Sequence, residues 1–352
     1  MKKNWSELNK YLLKNNYTMK NVSCCIVLLL IFSFSKSVNA QQKWVNVDSF
    51  FQPLPANFHV YKCTDNLDGK PFIAYYAEAN LKDKHLDFTT DTTNGRRITP
   101  LQFYNKDNQP LLVVNTAFFS YETNHSLNVI IKDGKMLEFN THTIPMKGKD
   151  TFQYKHPFVS AIGINKRRVA DVAWLYTDSI NNEVYASQNK IEALKDSNQT
   201  IDYNYVKLQT GITYNYVGQR AYPFKEWKMK TAVGGGPTLV QNGLIAISNN
   251  EELKFAGKAI DDKHPRTCMG YTKDGRLIVM VIEGRHPGIA EGVNLTQEAK
   301  LLVDIGCVEA LNLDGGGSSC MLINGKETIT PSEKGVERPV PAVFIIKITS
   351  AP

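Results

Sequence analysis

No stretch of this 352-residue chain is both long and apolar enough to cross a bilayer as a helix. The strongest run, Cys24 to Phe34 (CCIVLLLIFSF), has about eleven residues against the roughly twenty that a span requires. Cysteine is sparse, with six residues in all. The four beyond residue 40, Cys63, Cys268, Cys307 and Cys320, form no C-x-x-C pair and no His/Cys spacing of the zinc type. The chain also lacks a P-loop, an HExxH helix, an EF-hand loop and the G-x-S-x-G elbow of serine hydrolases. It has no Ser/Pro-rich linker and no internal repeat. What remains is 42% apolar, 21% charged and 10% aromatic, an ordinary globular composition that excludes wholesale disorder, collagen and coiled coil.

The formal charge of +7 overstates the basicity of the folded part, because residues 1–40 carry six lysines and a single acid, Glu7. Beyond them stand 35 Lys+Arg against 33 Asp+Glu, so no basic stripe points to nucleic acid. Lys20, the apolar run and the small-residue end Ser37-Val38-Asn39-Ala40 together predict a signal peptide cleaved after Ala40, and so an exported protein, periplasmic or secreted. A retained anchor is the competing reading, which the shortness of the run disfavours. Export permits disulfides, yet Cys268, Cys307 and Cys320 sit in apolar contexts and read as small buried residues.

Past residue 40 the pattern is mostly strands and short turns, which predicts an α+β fold: a mixed, strand-rich sheet core with few helices. Residues 41–104 read as N-terminal strands of the same domain, which continues through 105–352. Leu111 to Phe119 reads as a buried strand. Leu127 to Ile131 runs into the turn Lys132-Asp133-Gly134-Lys135, Phe158 to Ile164 is followed by Val169 to Tyr176, and Thr267 to Tyr271 is joined through Lys273-Asp274-Gly275 to Leu277 to Glu283. The best helix begins at Asn294, with Gln297 completing a capping box and Gly306 ending it in the left-handed region. Residues 179–230, polar and Tyr-rich, read as an insertion or lid.

The chemistry concentrates at strand ends. Asn312-Leu313-Asp314-Gly315-Gly316-Gly317-Ser318 places three glycines after an acid, which implies close backbone approach or positive φ and could form an anion nest. Gly234-Gly235-Gly236-Pro237 is a second glycine cluster, and Glu283-Gly284-Arg285-His286 ends the hairpin whose other arm opens at Arg266. On composition alone, the glycine loop is equally a tight structural turn.

These tracts, with Asn294-Leu-Thr-Gln-Glu298-Ala299 and Gly306-Cys-Val-Glu-Ala310, resemble the signature of the phosphodiester glycosidase family. That family includes an enzyme that removes N-acetylglucosamine to uncover mannose 6-phosphate. Asn115-Thr-Ala-Phe-Phe119, Ser160 to Ile164 and Gly234 to Pro237 resemble its upstream strand ends and turn, with Thr116 and Ala117 departing from the family's glycines. The resemblance covers about residues 105 to 350 and implies hydrolysis of a sugar-1-phosphodiester at C1–O. A phosphate leaves as a weakly basic anion, so positive charge beside it matters more than a general acid. Arg266 and Arg285 are then the phosphate candidates, helped by the amides of Gly315, Gly316, Gly317 and Ser318, with Gly235 and Asn115 also facing substrate. Glu283 and Asp314 are the candidate carboxylates for C1.

Each has a structural alternative. Glu283 could pair with an arginine, Asp314 could bond its own loop, and Ser318 and Asn115 could serve turns. His286 reads as a rim residue, and Glu298 and Arg338 as a bracing pair. The sequence requires no cofactor, although carboxylates near phosphate could hold Ca²⁺ or Mg²⁺, and it leaves metal and oligomeric state open. A non-catalytic glycan or anionic-polymer binding envelope protein is the rival function, and a phosphodiesterase cleaving P–O the third.

Overall fold

The hairpin expected around Lys273-Asp274-Gly275 lies at the centre of the fold. Strand Arg266–Thr272 pairs antiparallel with Arg276–Ile282, from Arg266 opposite Ile282 to Tyr271 opposite Leu277, and Gly275 turns the chain at φ +87°. Every residue from Leu277 to Ile282 is apolar because both faces of this strand are covered. Leu277, Val279 and Val281 point into a central core, whereas Ile278, Met280 and Ile282 point toward the helix Leu295–Ile305. Burying each such side chain stabilises the fold by roughly 1.5–3 kcal/mol.

The computed structural model describes residues 41–148, 151–197, 199–202, 204, 206 and 224–349. The expected signal peptide, residues 1–40, and the middle of the expected lid lie outside the described residues. Flanking the hairpin is an eight-stranded sheet in the order Val45–Asn46, Phe58–Cys63, Ala74–Asn80, Arg276–Ile282, Arg266–Thr272, Cys307–Asn312, Thr238–Gln241, Leu244–Ile245. The N-terminal strands therefore belong to the same sheet as the hairpin. A seven-stranded sheet is built around Ala170–Asp178, Ser160–Ile164 and Thr231–Gly234, and a five-stranded one around Leu112–Asn115 and Ala342–Ile348. A further three-stranded sheet is formed by Ile144–Pro145, Tyr154–His156 and Leu194–Asp196, and one core joins the three larger sheets, with Val279 and Leu311 from the first, Ile162 and Val233 from the second, and Val114 and Phe344 from the third.

The fold is strand-rich with few helices, as expected, and largely β. All strand pairings among the described residues are antiparallel, so the sheets are not mixed in direction. The ends of the 179–230 segment are not a free insertion either: Glu183–Ser187 and Lys225–Glu226 extend the seven-stranded sheet.

Local signals fared well where the physics is local. Asn294 caps the helix Leu295–Ile305 with a reciprocal box to Gln297, and Gly306 ends it at φ +99°. The turns Asp133-Gly134 and Asn324-Gly325 both hold the two positive φ angles that such pairs supply. A second helix, Pro100–Lys106, was missed although Thr99-Pro100-Leu101-Gln102 is itself a capping box. Cys268, Cys307 and Cys320 are free and buried, matching the reading against a bridge, and Cys63 is free and buried as well.

Gly270 marks a close approach between neighbouring strands, since a Cβ there would stand 2.6 Å from the Ala310 Cβ and 2.7 Å from the Glu309 carbonyl oxygen. Gly270→Ala is expected to cost roughly 1–3 kcal/mol through overpacking. A urea midpoint equal to that of the unsubstituted protein would show that the two strands can separate freely.

Candidate active site

Four segments meet at one end of the eight-stranded sheet, stitched by backbone hydrogen bonds. The Asp314 amide donates to the Thr116 carbonyl at 2.7 Å, that of Leu313 to Thr267 at 2.7 Å, that of Gly316 to Pro265 at 2.8 Å, and that of Gly236 to Asn312 at 2.7 Å. At their junction lies Asn115, fully buried. Its side-chain nitrogen donates to the Asp314 carbonyl at 2.6 Å, while its oxygen accepts from the Thr267 hydroxyl at 2.9 Å and the Cys320 amide at 3.1 Å. Asn115 thus ties the glycine loop to two sheets and does not face a sugar, the role expected of it.

Asp314 is half-buried, the one carboxylate seated in the loop itself. Burial pushes its carboxyl up to about 6, against the opposing pull of the Ser318 hydroxyl, Arg338, the Gly315 amide and Lys254. Ser318 is buried and links the two partners, because its hydroxyl also accepts from Arg338 Nη1 at 3.3 Å.

The three glycines make room for side chains more than they present free amides. The Gly316 amide is spent on Pro265, and those of Ser318 and Ser319 close the loop's own 3₁₀ turn on Gly315 and Gly316. A Cβ at Gly316, where φ is +61°, would lie 3.0 Å from Arg285 Nη2, and one at Gly317 would run into Arg338. Gly315 could not carry a Cβ either, since it would meet the Pro265 carbonyl oxygen at 2.7 Å. The expected amide nest is therefore replaced by two guanidinium groups lying on glycine surface. Gly235 is likewise a packing residue: its Cβ would stand 2.5 Å from the Asn312 carbonyl oxygen.

Arg285 is exposed, holds φ +62° as a non-glycine residue, and reaches His264 Nδ1 at 3.4 Å. Such backbone strain, of order 1–3 kcal/mol, persists where surrounding structure imposes it. Arg338 pairs with Glu333 at the rim. Lys254 completes the set. Its Nζ lies 4.7 Å from the Phe118 ring centre, and its stem covers Gly236, where φ is +100° and a Cβ would stand 2.7 Å from Lys254 Cε. Burial pulls this ammonium down to about 8, opposed by Glu252 and Asp314. Phe118 also meets Phe255 edge-on at 6.1 Å, forming an aromatic wall beside the lysine.

Arg266, expected to grip phosphate, is only 2% exposed. Strand alternation turns it toward the helix, where Nε donates to the Val293 carbonyl at 3.2 Å, the guanidinium covers Phe255, and Glu298 stands 4.0 Å away. Burial pushes the Glu298 carboxyl up to about 7, and Arg266 is what opposes that rise. Glu298 therefore braces Arg266 and not Arg338, correcting the expected pairing. Glu283 follows Ile282 and so turns to the opposite face from Arg266. Both its oxygens are engaged, one with His286 Nδ1 at 3.0 Å and the other with the Thr330 amide at 3.0 Å.

Lys254, Phe118 and Glu252 were not singled out in the sequence. Glu252 is buried and accepts from the Ser160 amide and hydroxyl, Trp174 Nε1, the Thr238 amide and the Ser248 hydroxyl, all within 3.0 Å. It fixes the loop that carries Lys254. No local pattern marks either residue, since the loop 248–256 is irregular. Two concavities of about 630 and 520 Å³, lined by residues such as Trp227 and Lys228 or His142 and Tyr176, lie on the seven-stranded sheet and hold none of these groups. Among the described residues no three His, Cys, Asp or Glu side chains converge to hold a metal ion.

The model of the phosphodiester glycosidase family matches residues 158–347, more than half of the chain. The chain belongs to the phosphodiester glycosidase family. The chain is 31% identical over 103 residues to the bovine (Bos taurus) N-acetylglucosamine-1-phosphodiester alpha-N-acetylglucosaminidase, an alignment that spans 27% of this chain and 19% of the relative. The catalytic domain of the zebrafish enzyme of that name, auto-inhibited by its pro-peptide, shares the fold with a TM-score of 0.51 at 20% identity, over 84% of this chain and 85% of that one. A hypothetical protein from Synechocystis superposes with a TM-score of 0.55 at 14% identity, over 87% of this chain and 64% of that one. Lys254, Arg285, Asp314 and Arg338 all fall within the matched family region, whereas Asn115 and Phe118 precede it.

Asn115→Ala would strip three buried partners of their hydrogen bonds at once. Urea denaturation is expected to show a loss of roughly 2–4 kcal/mol, and a loss below about 0.5 kcal/mol, typical of an uninvolved surface site, would mean that the loop is held by other contacts.

Proposed function

We propose that this phosphodiester glycosidase hydrolyses the C1–O bond of a sugar-1-phosphodiester. The observation that carries the reading is a lone half-buried carboxylate, Asp314, set among Lys254, Arg285 and Arg338 beside an aromatic wall. Glu333 partners Arg338 and Glu252 stands beside Lys254, so Arg285, exposed and without a carboxylate partner among the described residues, is the cation most open to an anionic substrate. Arginine forks match phosphate oxygens in pairs, and Lys254 adds a point charge.

In the proposed reaction the phosphodiester lies against Arg285, Arg338 and Lys254, and the sugar packs on Phe118. As the C1–O bond lengthens, its electron pair goes to the phosphate oxygen, whose charge the three cations stabilise. C1 gains oxocarbenium character opposite Asp314. The carboxylate either bonds to C1 or takes the proton of the attacking water, and the anomeric configuration of the first product separates these. Water supplies the oxygen that ends on C1, and the phosphate monoester leaves without needing an acid. Glu283, with both oxygens engaged, holds His286 and the chain at Thr330 in place and supports the site without touching C1. The relatives' names supply the proposed sugar, N-acetylglucosamine. Export is proposed as well, from the basic start, the apolar run and Ala40. No helix among the described residues is long and apolar enough to cross a membrane.

Hydrolysis of a defined sugar-1-phosphodiester in heavy-oxygen water is expected to place the label on the sugar. Label on phosphate would indicate P–O cleavage, and binding without turnover would indicate the glycan-binding alternative.

The pH profile follows from two groups. Asp314 must be ionised, so kcat/KM rises with pH through about 6, and Lys254 must stay charged, so it falls again through about 8. Asp314→Asn is expected to lower kcat by roughly 10²–10⁴-fold, and Lys254→Met to remove the alkaline limb. A profile flat from pH 5 to 9 would remove both groups from the mechanism.

A further inference from the structure

The cation cluster does not stop at Arg338. Its guanidinium carbon lies 5.9 Å from the ring centre of Tyr121, a residue 62% exposed at the tip of a tight hairpin. That tip is held by the Ser120 amide on the His125 carbonyl at 3.0 Å and by the Ser120 hydroxyl, which accepts from the amides of Glu122 and Thr123 at 3.2 Å each. Tyr121 is thus an aromatic side chain carried in solvent on a hydrogen-bonded support. Against the same ring, at 4.9 Å, stands the guanidinium of Arg97, which also packs on Phe119 at 5.3 Å. Arg97 is half-buried, and among the described contacts no carboxylate pairs with it. The two rings hold this guanidinium in place while leaving its five donors without an acidic partner.

A continuous track of contacts therefore leads outward from the proposed catalytic carboxylate: Asp314, Ser318, Arg338, Tyr121, Arg97. Tyr121 is the spacer between two arginines. In the hydrolase reading the inner one belongs to the scissile phosphate, which leaves the outer one for a second anionic group.

Resting on the hydrolase reading above, we infer that Arg97 and Tyr121 form an acceptor-side subsite for a second phosphate group. The substrate class is then a glycan or alcohol carrying phosphate in series, not an isolated sugar phosphodiester. The second phosphate docks in the plane of the Arg97 fork, and the intervening sugar or polyol passes along the edge of Tyr121. No bond to this outer phosphate is made or broken.

Two probes test this: a sugar-1-phosphodiester of a simple alcohol, and the same diester whose alcohol part bears one further phosphate monoester. The unsubstituted enzyme is expected to prefer the second by about ten-fold in kcat/KM, the scale of one charged hydrogen-bonded contact. In Arg97→Ala that ratio is expected to fall to about one, and in Arg97→Lys, which keeps the charge without the fork, to an intermediate value. Equal rates on both probes with the unsubstituted enzyme, or a proportional loss on both in Arg97→Ala, would overturn the subsite. If neither probe is hydrolysed, the hydrolase reading fails by itself. Calorimetric binding of the two probes then decides the subsite, which requires tighter binding of the bisphosphate and loss of that difference in Arg97→Ala.

Discussion

The buried amide of Asn115 is the contact on which the geometry of the site depends. One side chain holds the carbonyl of Asp314, the hydroxyl of Thr267 and the amide of Cys320. Those partners belong to the glycine loop, to the central hairpin and to the approach to the strand Met321–Ile323, so with the strand of Asn115 itself three tracts remote in sequence share one origin of coordinates. A carboxylate whose placement must be right within a fraction of an ångström is set by a fully buried and fully hydrogen-bonded side chain. Thr116 adds to this by accepting the Asp314 amide at 2.7 Å. Thr116 and Ala117, which depart from the family's glycines, are both buried, and the Thr116 hydroxyl has no hydrogen-bond partner among the described residues.

Around that fixed point, the electrostatics are shaped by subtraction. Glycines 316 and 317 remove the side chains that would hold Arg285 and Arg338 away from the loop, and Gly236 does the same for Lys254. Cations stand close to one carboxylate in a partly desolvated space, where charges interact more strongly than in water. The opposing shifts of Asp314 upward and Lys254 downward share one main cause, burial, and each is moderated by the other's charge. Glu252 works at one remove: its buried carboxylate is saturated with donors, and its place beneath Gly236 sets where the lysine stem can lie.

The sequence disclosed those parts of the fold whose causes are local. Caps at Asn294 and Gly306 and the Asp-Gly turns were legible because a few adjacent residues decide them. The site was legible as a set of strand ends but not as a geometry. Arg266 and Arg285 look alike in a string. Only the register of the hairpin and the helix covering one of its faces bury the first and leave the second in solvent. Glu283 and Asp314 were likewise interchangeable until the Thr330 amide and His286 claimed the oxygens of the former. Lys254 has no signature at all, because its relevance arises from a loop folded across the end of another strand.

The four cysteines carry a consequence for how the chain matures. Each is at most 2% exposed, none is paired, and burial pushes the Cys307 thiol up to about 12, so thiolate is scarce at neutral pH. Acquiring the native state demands no oxidase and no isomerase for sulfur. The packed sheets of the described residues reach the same covalent form in a reducing cytosol as in an oxidising compartment, and their durability outside a cell would rest on noncovalent contacts.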